Sequence, residues 1–246
     1  MKITVVTVCL NAEKTIQNTI ESVLNQTYQD IEYIIMDGKS TDKTVEIVEK
    51  YKNDSKINFI SEKDNGLYNA MNKATKTSSG EYIVFLNSGD TFCDNTVIAD
   101  LVPYLHADIV YGNAIRIYKN QKVRETYRGK YKLICMLLMG KMMCHQSVFA
   151  KTSIMRQYGF DEQYKICADY DFIVRAKKNK CSMEYIDRDV CIFENIEGIS
   201  SQLENYDYMR MEDDKCLKKN MPFLYGIIYL PKGIYRLFYD TFMRGK

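Results

Sequence analysis

Phe85-Leu86-Asn87-Ser88-Gly89-Asp90 closes an apolar run that begins at Tyr82 and opens into a turn. Tyr82 to Leu86 has the length and composition of a short buried strand, and the small residues after it deliver one carboxylate, Asp90, on a loop. Parallel α/β sheets bind ligands beyond the carboxyl ends of their strands, so a metal ion or a phosphate group is expected here. Alone, the pattern is also that of an Asp capping the next helix. Its weight comes from two earlier strands that end in polar, Asp-bearing loops.

The first of the upstream strands, Ile3 to Val8, is a β-branched run typical of a strand buried on both faces. After a polar break at Asn11, Ile16, Ile20, Val23 and Leu24 recur at helical spacing. A strand at Ile31 to Met36 ends in Asp37-Gly38-Lys39-Ser40-Thr41-Asp42. The next helix buries Val45, Ile47, Val48 and Tyr51, with Thr41 or Asp42 as its cap. A third strand, Ile57 to Ile60, leads through Ser61-Glu62-Lys63-Asp64-Asn65-Gly66 to a short helix carrying Leu67, Ala70, Met71 and Ala74. Four alternations with short connections predict an α/β fold: a doubly wound, Rossmann-like, mostly parallel sheet with helices on both faces. Beyond about residue 105 the regularity fades. Ile109 to Tyr118 reads as a long strand, Tyr127 to Met143 as a mixed, Met-rich segment, and Asp169 to Ala176 as a helix.

Composition narrows the class. The 246 residues are 46% hydrophobic and 27% charged with a net charge of +2, so no global field argues for nucleic acid. None of the eight cysteines forms a CxxC pair, which favours scattered buried thiols in a reducing cytosol. The chain starts on a strand without a charged-then-apolar leader, and no apolar run approaches the ~20 residues needed to span a bilayer, so a cytoplasmic location is expected. Residues 221–246 are aromatic and apolar with interspersed Lys232, Arg236 and Arg244. Two readings stay open there: a C-terminal helix packed on the core, or an amphipathic extension making peripheral contact with the inner face of the cell membrane.

Asp37, Glu62 with Asp64, and Asp90 follow consecutive parallel strands and are expected along one sheet edge. Buried carboxylates need a cation or hydrogen bonds. Hard oxygen ligands without a Cys/His quartet favour Mg²⁺ or Mn²⁺ shared with phosphate oxygens. No Walker loop or GxGxxG follows the first strand, which argues against ordinary ATPase or NAD-type binding.

Thr7-Val8-Cys9-Leu10-Asn11, then Asp37 to Thr44, resembles the opening of family 2 glycosyltransferases of the GT-A fold. The resemblance continues through Ser61 to Ala74, Gly80 to Asp90, His145-Gln146-Ser147 and Ala168-Asp169-Tyr170-Asp171-Phe172, covering roughly residues 1 to 200. The nearest flavour is the bacterial branch that builds exopolysaccharide, capsule or O-antigen repeat units. The resemblance implies a nucleotide-sugar donor, usually a UDP-sugar, a saccharide or lipid-linked saccharide acceptor, and inversion at the anomeric carbon. It implies a domain over 1–220, with a nucleotide-sugar half at 1–105 and an acceptor half at 106–220. By the same resemblance Thr7, Asn11 and Asp37 line the nucleoside pocket, and Asp64 and Lys73 lie beside the ribose and diphosphate. Asp90 holds Mn²⁺ or Mg²⁺, Ser88 replaces the first carboxylate of the Asp-x-Asp metal motif, and Asp169 is the catalytic base.

Blander readings stand beside these. Asp37-Gly38 is also a strand-to-helix turn with Gly38 at positive φ, Asp64-Asn65-Gly66 is a good turn, and Lys73 is an ordinary solvated charge. His145 is either structural or a contact to the donor diphosphate or acceptor. Asp169 and Asp171 cannot face the same way on a helix, so Asp171 is expected to pair with Arg175. Gly198-Ile199-Ser200-Ser201 resembles a loop closing over the donor. The replaced carboxylate leaves a second function open, a catalytically degenerate GT-A fold that binds a nucleotide sugar or scaffolds a complex.

Overall fold

The computed structural model describes residues 1–118, 121–127, 142–194 and 206–226. Its first four strands are β1 (Ile3–Cys9), β2 (Ile31–Asp37), β3 (Ile57–Ser61) and β4 (Tyr82–Phe85). They pair in parallel in the order β3-β2-β1-β4, and all seven residues of β1 are buried, as a central strand requires. Five further strands complete the sheet: β5 (Thr91–Phe92), β6 (Ile109–Tyr118), β7 (Gln121–Glu125), β8 (Val148–Lys151) and β9 (Met183–Glu194). Beyond β4 the order is β8-β6-β9-β5, with β7 paired to β6. Because β8 is antiparallel to both β4 and β6, and β9 parallels β6, strands β6 and β9 point the same way as β1 to β4.

Alternation along each strand splits the core into two layers. Ile3, Val5, Tyr33 and Ile35 face α1 (Ile16–Leu24), α2 (Thr44–Glu49) and α4 (Val97–Leu101). Val6, Val8, Ile34 and Met36 face α3 (Leu67–Thr77), α5 (Thr152–Tyr158), α6 (Ala168–Lys178) and α7 (Tyr206–Asn220). The expected α/β sheet with helices on both faces is therefore present. β5 and β8 escape a sequence reading for a physical reason. Two and four residues are too short for a period, and β8 runs straight into α5.

Helix α6 has no side-chain cap of its own. Glu212 of α7 instead anchors the turn leading into it, accepting the backbone N–H of Lys165 at 2.7 Å and those of Ile166 and of the N-cap residue Cys167 at 3.0 Å. Asp171, fully buried, pairs with Arg175 Nε at 2.5 Å as the sequence suggested, and accepts Asn220 Nδ2 at 3.0 Å. The same guanidinium donates to the Tyr158 and Gly159 carbonyls, tying α5, α6 and α7 together.

Among the described residues no helix is long and apolar enough to cross a membrane. The Gly198 to Ser201 loop, most of the Met-rich 127–143 segment and residues 227–246 of the C-terminal extension lie outside the described residues.

Glu212→Ala strips three backbone N–H groups of their acceptor and is expected to destabilise the fold by at least about 1–3 kcal/mol. Urea unfolding checks this; an unchanged midpoint would remove Glu212 as the support of α6.

Candidate active site

The parallel register sets Cys9 opposite Asp37 and Asp37 opposite Ser61, so the loops after β1, β2 and β3 leave the sheet at one level. They then bond to each other. Asn11, at φ +51°, accepts the Thr41 N–H on Oδ1 at 2.9 Å and donates its own N–H to Ser40 Oγ at 2.8 Å. Left-handed backbone suits Asn better than most residues. The Ala12 N–H reaches Thr44 Oγ1 at 2.7 Å, and Asp42 accepts the Thr44 N–H at 2.9 Å, while the N-cap position of the helix is Lys43 and not the expected Thr41 or Asp42.

Asp37 is 1% exposed. Its oxygens accept the Ser40 amide at 3.1 Å, the Ser40 hydroxyl, and the Ser61 hydroxyl at 2.6 Å. Gly38 beside it is not at positive φ; Lys39 takes that role at φ +67°. Gly38 is small for another reason, since a Cβ there would sit 2.7 Å from Asp64 Oδ2. The other Asp64 oxygen accepts the Gly66 N–H at 2.8 Å, with Gly66 at φ +113°.

Two sequence assignments change character here. Thr7 does not line an open pocket: it is fully buried, donating to the Leu86 carbonyl at 2.7 Å and sharing a bond with Tyr33 Oη at 2.9 Å. Its hydroxyl fastens β1 to its neighbours beneath the loops. Lys73 is neither a free solvated charge nor an unpaired cation, because Nζ lies 2.7 Å from Glu62 and donates to the Lys63 carbonyl at 3.0 Å. It pins the loop that carries Asp64.

The loop after β4 delivers Asn87, Ser88 and Asp90. Ser88 Oγ is bonded to Thr15 Oγ1 at 3.0 Å, and the Gly89 N–H to Thr19 Oγ1 at 3.0 Å, so α1 holds this loop. Asp90 is buried, and its Oδ2 accepts Gln146 Nε2 at 2.7 Å. Burial pushes its carboxyl up to about 6, against the Gln146 hydrogen bond, which pulls it down.

Asp169 opens α6 and meets this loop through a short 3₁₀ turn, His145–Ser147. His145 Nδ1 lies 3.1 Å from Asp169 Oδ2, and its Nε2 lies 3.1 Å from Asn87 Nδ2. The other Asp169 oxygen accepts the Tyr170 N–H at 2.8 Å, and the Tyr68 hydroxyl, which donates to the Ile166 carbonyl at 2.5 Å, lies 3.3 Å from it. Burial, then the neighbouring Asp169 charge, drives the Tyr68 phenol well above its usual range and keeps it a donor. An apolar hollow adjoins this group, walled by Ile83, Phe85, Val148, Phe160 and Phe172, with His145 and Asp169 as polar lining.

Asn87, Gln146 and Tyr68 escaped the sequence reading as site residues. All three sit inside the quoted motifs, yet spacing carries no sign of which side chain meets which across 58 or 101 residues of chain.

Residues 4–181 match the family described as Glycosyl transferase family 2. The chain belongs to glycosyl transferase family 2. It is thus a glycosyltransferase. One relative, the PGL/p-HBAD biosynthesis glycosyltransferase of Mycobacterium tuberculosis, is 24% identical over 209 residues, covering 82% of this chain and 80% of that protein. Another, the Escherichia coli UDP-Glc:alpha-D-GlcNAc-diphosphoundecaprenol beta-1,3-glucosyltransferase WfaP, is 32% identical over 162 residues, 64% of this chain and 61% of its own. Among solved structures, S. aureus TarS 1–349 in complex with UDP-GlcNAc superposes with a TM-score of 0.73 at 20% identity, over 90% of this chain and 68% of that one. The mannosyltransferase PcManGT of Pyrobaculum calidifontis, in complex with GDP-Man and Mn²⁺, gives 0.69 at 16% identity, over 93% and 69%. The fold of this family 2 chain is thus of the GT-A type.

Asp90 has a pH signature. Its carboxyl is raised from 3.8 to about 6, so it is neutral in folded and unfolded chains below about pH 4 and ionised in both well above 6. The folded state therefore loses stability from this group as pH rises between those limits. In chelator-containing buffer, the stability of Asp90→Asn relative to the native chain is expected to improve across that interval and then level off. Thermal melts from pH 4 to 7.5 test this; a difference that does not vary with pH would contradict the burial effect.

Proposed function

We propose that this glycosyltransferase moves a sugar, with inversion, from a nucleotide-sugar donor, a UDP-sugar, to a hydroxyl of a glycan or lipid-linked saccharide in surface polysaccharide synthesis. One observation carries the reading: a single turn, His145-Gln146, bonds to Asp169 on one side and to Asp90 on the other. A base for the acceptor and a carboxylate for the leaving-group end are thereby held in one frame. The UDP-GlcNAc complex of TarS and the UDP-Glc donor of WfaP favour a UDP-sugar, and the undecaprenol-linked acceptor of WfaP favours a lipid-linked saccharide.

A sugar hydroxyl is a poor nucleophile, and a departing nucleoside diphosphate accumulates negative charge. On this reading Asp169 takes the proton of the acceptor hydroxyl as it attacks the face opposite the diphosphate. Bond formation to the anomeric carbon and departure of the diphosphate then give single displacement and inversion. Asn11, Asp37 and Asp64, on loops already stitched together, border the nucleoside end, with Lys73 bracing the Asp64 loop and Ser88 beside Asp90.

Among the described residues no three His, Cys, Asp or Glu side chains gather as a metal site. Asp90 nevertheless fits Mg²⁺ or Mn²⁺, because such ions are commonly held by one or two carboxylates plus substrate phosphates. A buried carboxyl raised to about 6 is also one that a neighbouring cation stabilises as the anion. Bound there, the ion would supply charge neutralisation of the diphosphate.

Asp169→Asn is expected to cut turnover by about 10²–10⁴-fold while leaving UDP affinity within about threefold. Titration calorimetry with UDP, GDP and dTDP, each with Mn²⁺, Mg²⁺ or EDTA, accompanies the kinetics. Full turnover by the variant would end the base assignment. A metal-dependent preference for GDP or dTDP would end the UDP assignment.

A further inference from the structure

We infer that His145 is a positioning residue for the base, and that Asn87 selects the His145 tautomer able to do it; the inference rests on the reading of Asp169 given above.

The argument is one of donors and acceptors. An ionised Asp169 can only accept, so the Nδ1 of His145 facing its Oδ2 at 3.1 Å carries a proton. A neutral imidazole protonated on Nδ1 has a lone pair on Nε2, and that atom must meet a donor. The group present at 3.1 Å is the Asn87 amide nitrogen, Nδ2. The opposite tautomer would face the Nδ1 lone pair against a carboxylate oxygen and, with the Asn87 amide in this orientation, Nε2–H against an amide N–H; both contacts repel.

Asn87 shows what this arrangement costs. Its Oδ1 is buried with no hydrogen-bond partner. A buried acceptor left unpaired is unfavourable, so no bond made by Oδ1 holds the amide in this orientation. Nδ2 has its bond to His145 in this orientation, whereas a turned amide would present Oδ1 to Nε2 and require a proton there. Asn87 also belongs to the loop of Asp90, whose N–H donates to the Asn87 carbonyl at 3.0 Å.

The result is a closed frame. Oδ2 of Asp169 is held by His145, and Oδ1 by the Tyr170 N–H. Gln146, the next residue after His145, holds Asp90 at 2.7 Å. The spacing of base and leaving-group carboxylates is thus set by adjacent residues of one 3₁₀ turn, and Asn87 locks the turn to the β4 loop. A base works only when its lone pair points at the proton it removes, which fixed neighbours ensure.

The chain has two histidines, so imidazole ¹⁵N labelling of the full-length protein gives two spin systems, and His106→Gln assigns them. Long-range ¹H–¹⁵N correlation at pH 7.5 is expected to report His145 neutral and protonated on Nδ1. Asn87→Asp, which offers Nε2 an acceptor, is expected to move the proton to Nε2 or add a second one. A native His145 protonated on Nε2, or a pattern unaltered by Asn87→Asp, overturns the tautomer assignment whatever Asp169 does. In kinetics His145→Ala is expected to lower kcat about 10–100-fold with donor KM within about threefold. His145→Asn, whose amide N–H reaches from the Nδ1 position, is expected to recover most of that loss. A rise in donor KM with kcat preserved, or an Asn variant no better than Ala, would overturn positioning and leave a donor contact. Failure of the base reading itself shows separately, as undiminished turnover in Asp169→Asn.

Discussion

The in-register parallel pairing of β1 with β2 and β4 governs everything at the site. Val5 lies opposite Tyr33 on one side and Val84 on the other, and Cys9 ends the strand opposite Asp37. Parallel strands require crossover connections, so all four strand ends open on the same edge. Backbone N–H groups leaving a fully buried strand need acceptors, and the loops meet that need by bonding to one another. Asn11 with Ser40 and Thr41, Ala12 with Thr44, and the β4 loop with α1 are all instances. A rigid rim follows from the pairing itself.

Carboxylates on such a rim are distinguished by their partners. Asp37 is saturated by hydroxyls and an amide, and Asp64 is held over Gly38 by its own turn. Asp169 is fixed on both oxygens, by His145 and by the Tyr170 N–H. Asp90 is the exception: buried, with a single side-chain donor at its carboxylate and its ionised form disfavoured. A carboxylate perturbed by burial is a candidate for meeting an ionic partner, the role proposed for it above.

The antiparallel insertion of β8 between β4 and β6 is the second structural decision. It places His145 and Gln146, which precede β8, against the end of β4, and it sends the chain on through α5 to α6. Glu212 and Asn220 then brace α6 from α7, through the Lys165 to Cys167 backbone and through Asp171. The geometry of Asp169 thus depends on residues more than forty positions downstream.

By itself the sequence determined the parallel half of the sheet, both helix layers of its crossovers, the edge where the loops gather, and the family. Those follow from local periodicity and from turn residues, which act over a few positions. It also paired Asp171 with Arg175, a contact four residues long. Only tertiary structure decided that Thr7 is a buried fastener, that Lys73 is tied to Glu62, that Gly38 is small to admit Asp64, and that His145 serves Asp169. Each of these depends on a hydrogen bond or close approach between side chains distant in the chain. The sequence supplies the donors and acceptors, but only the packed sheet brings one against another.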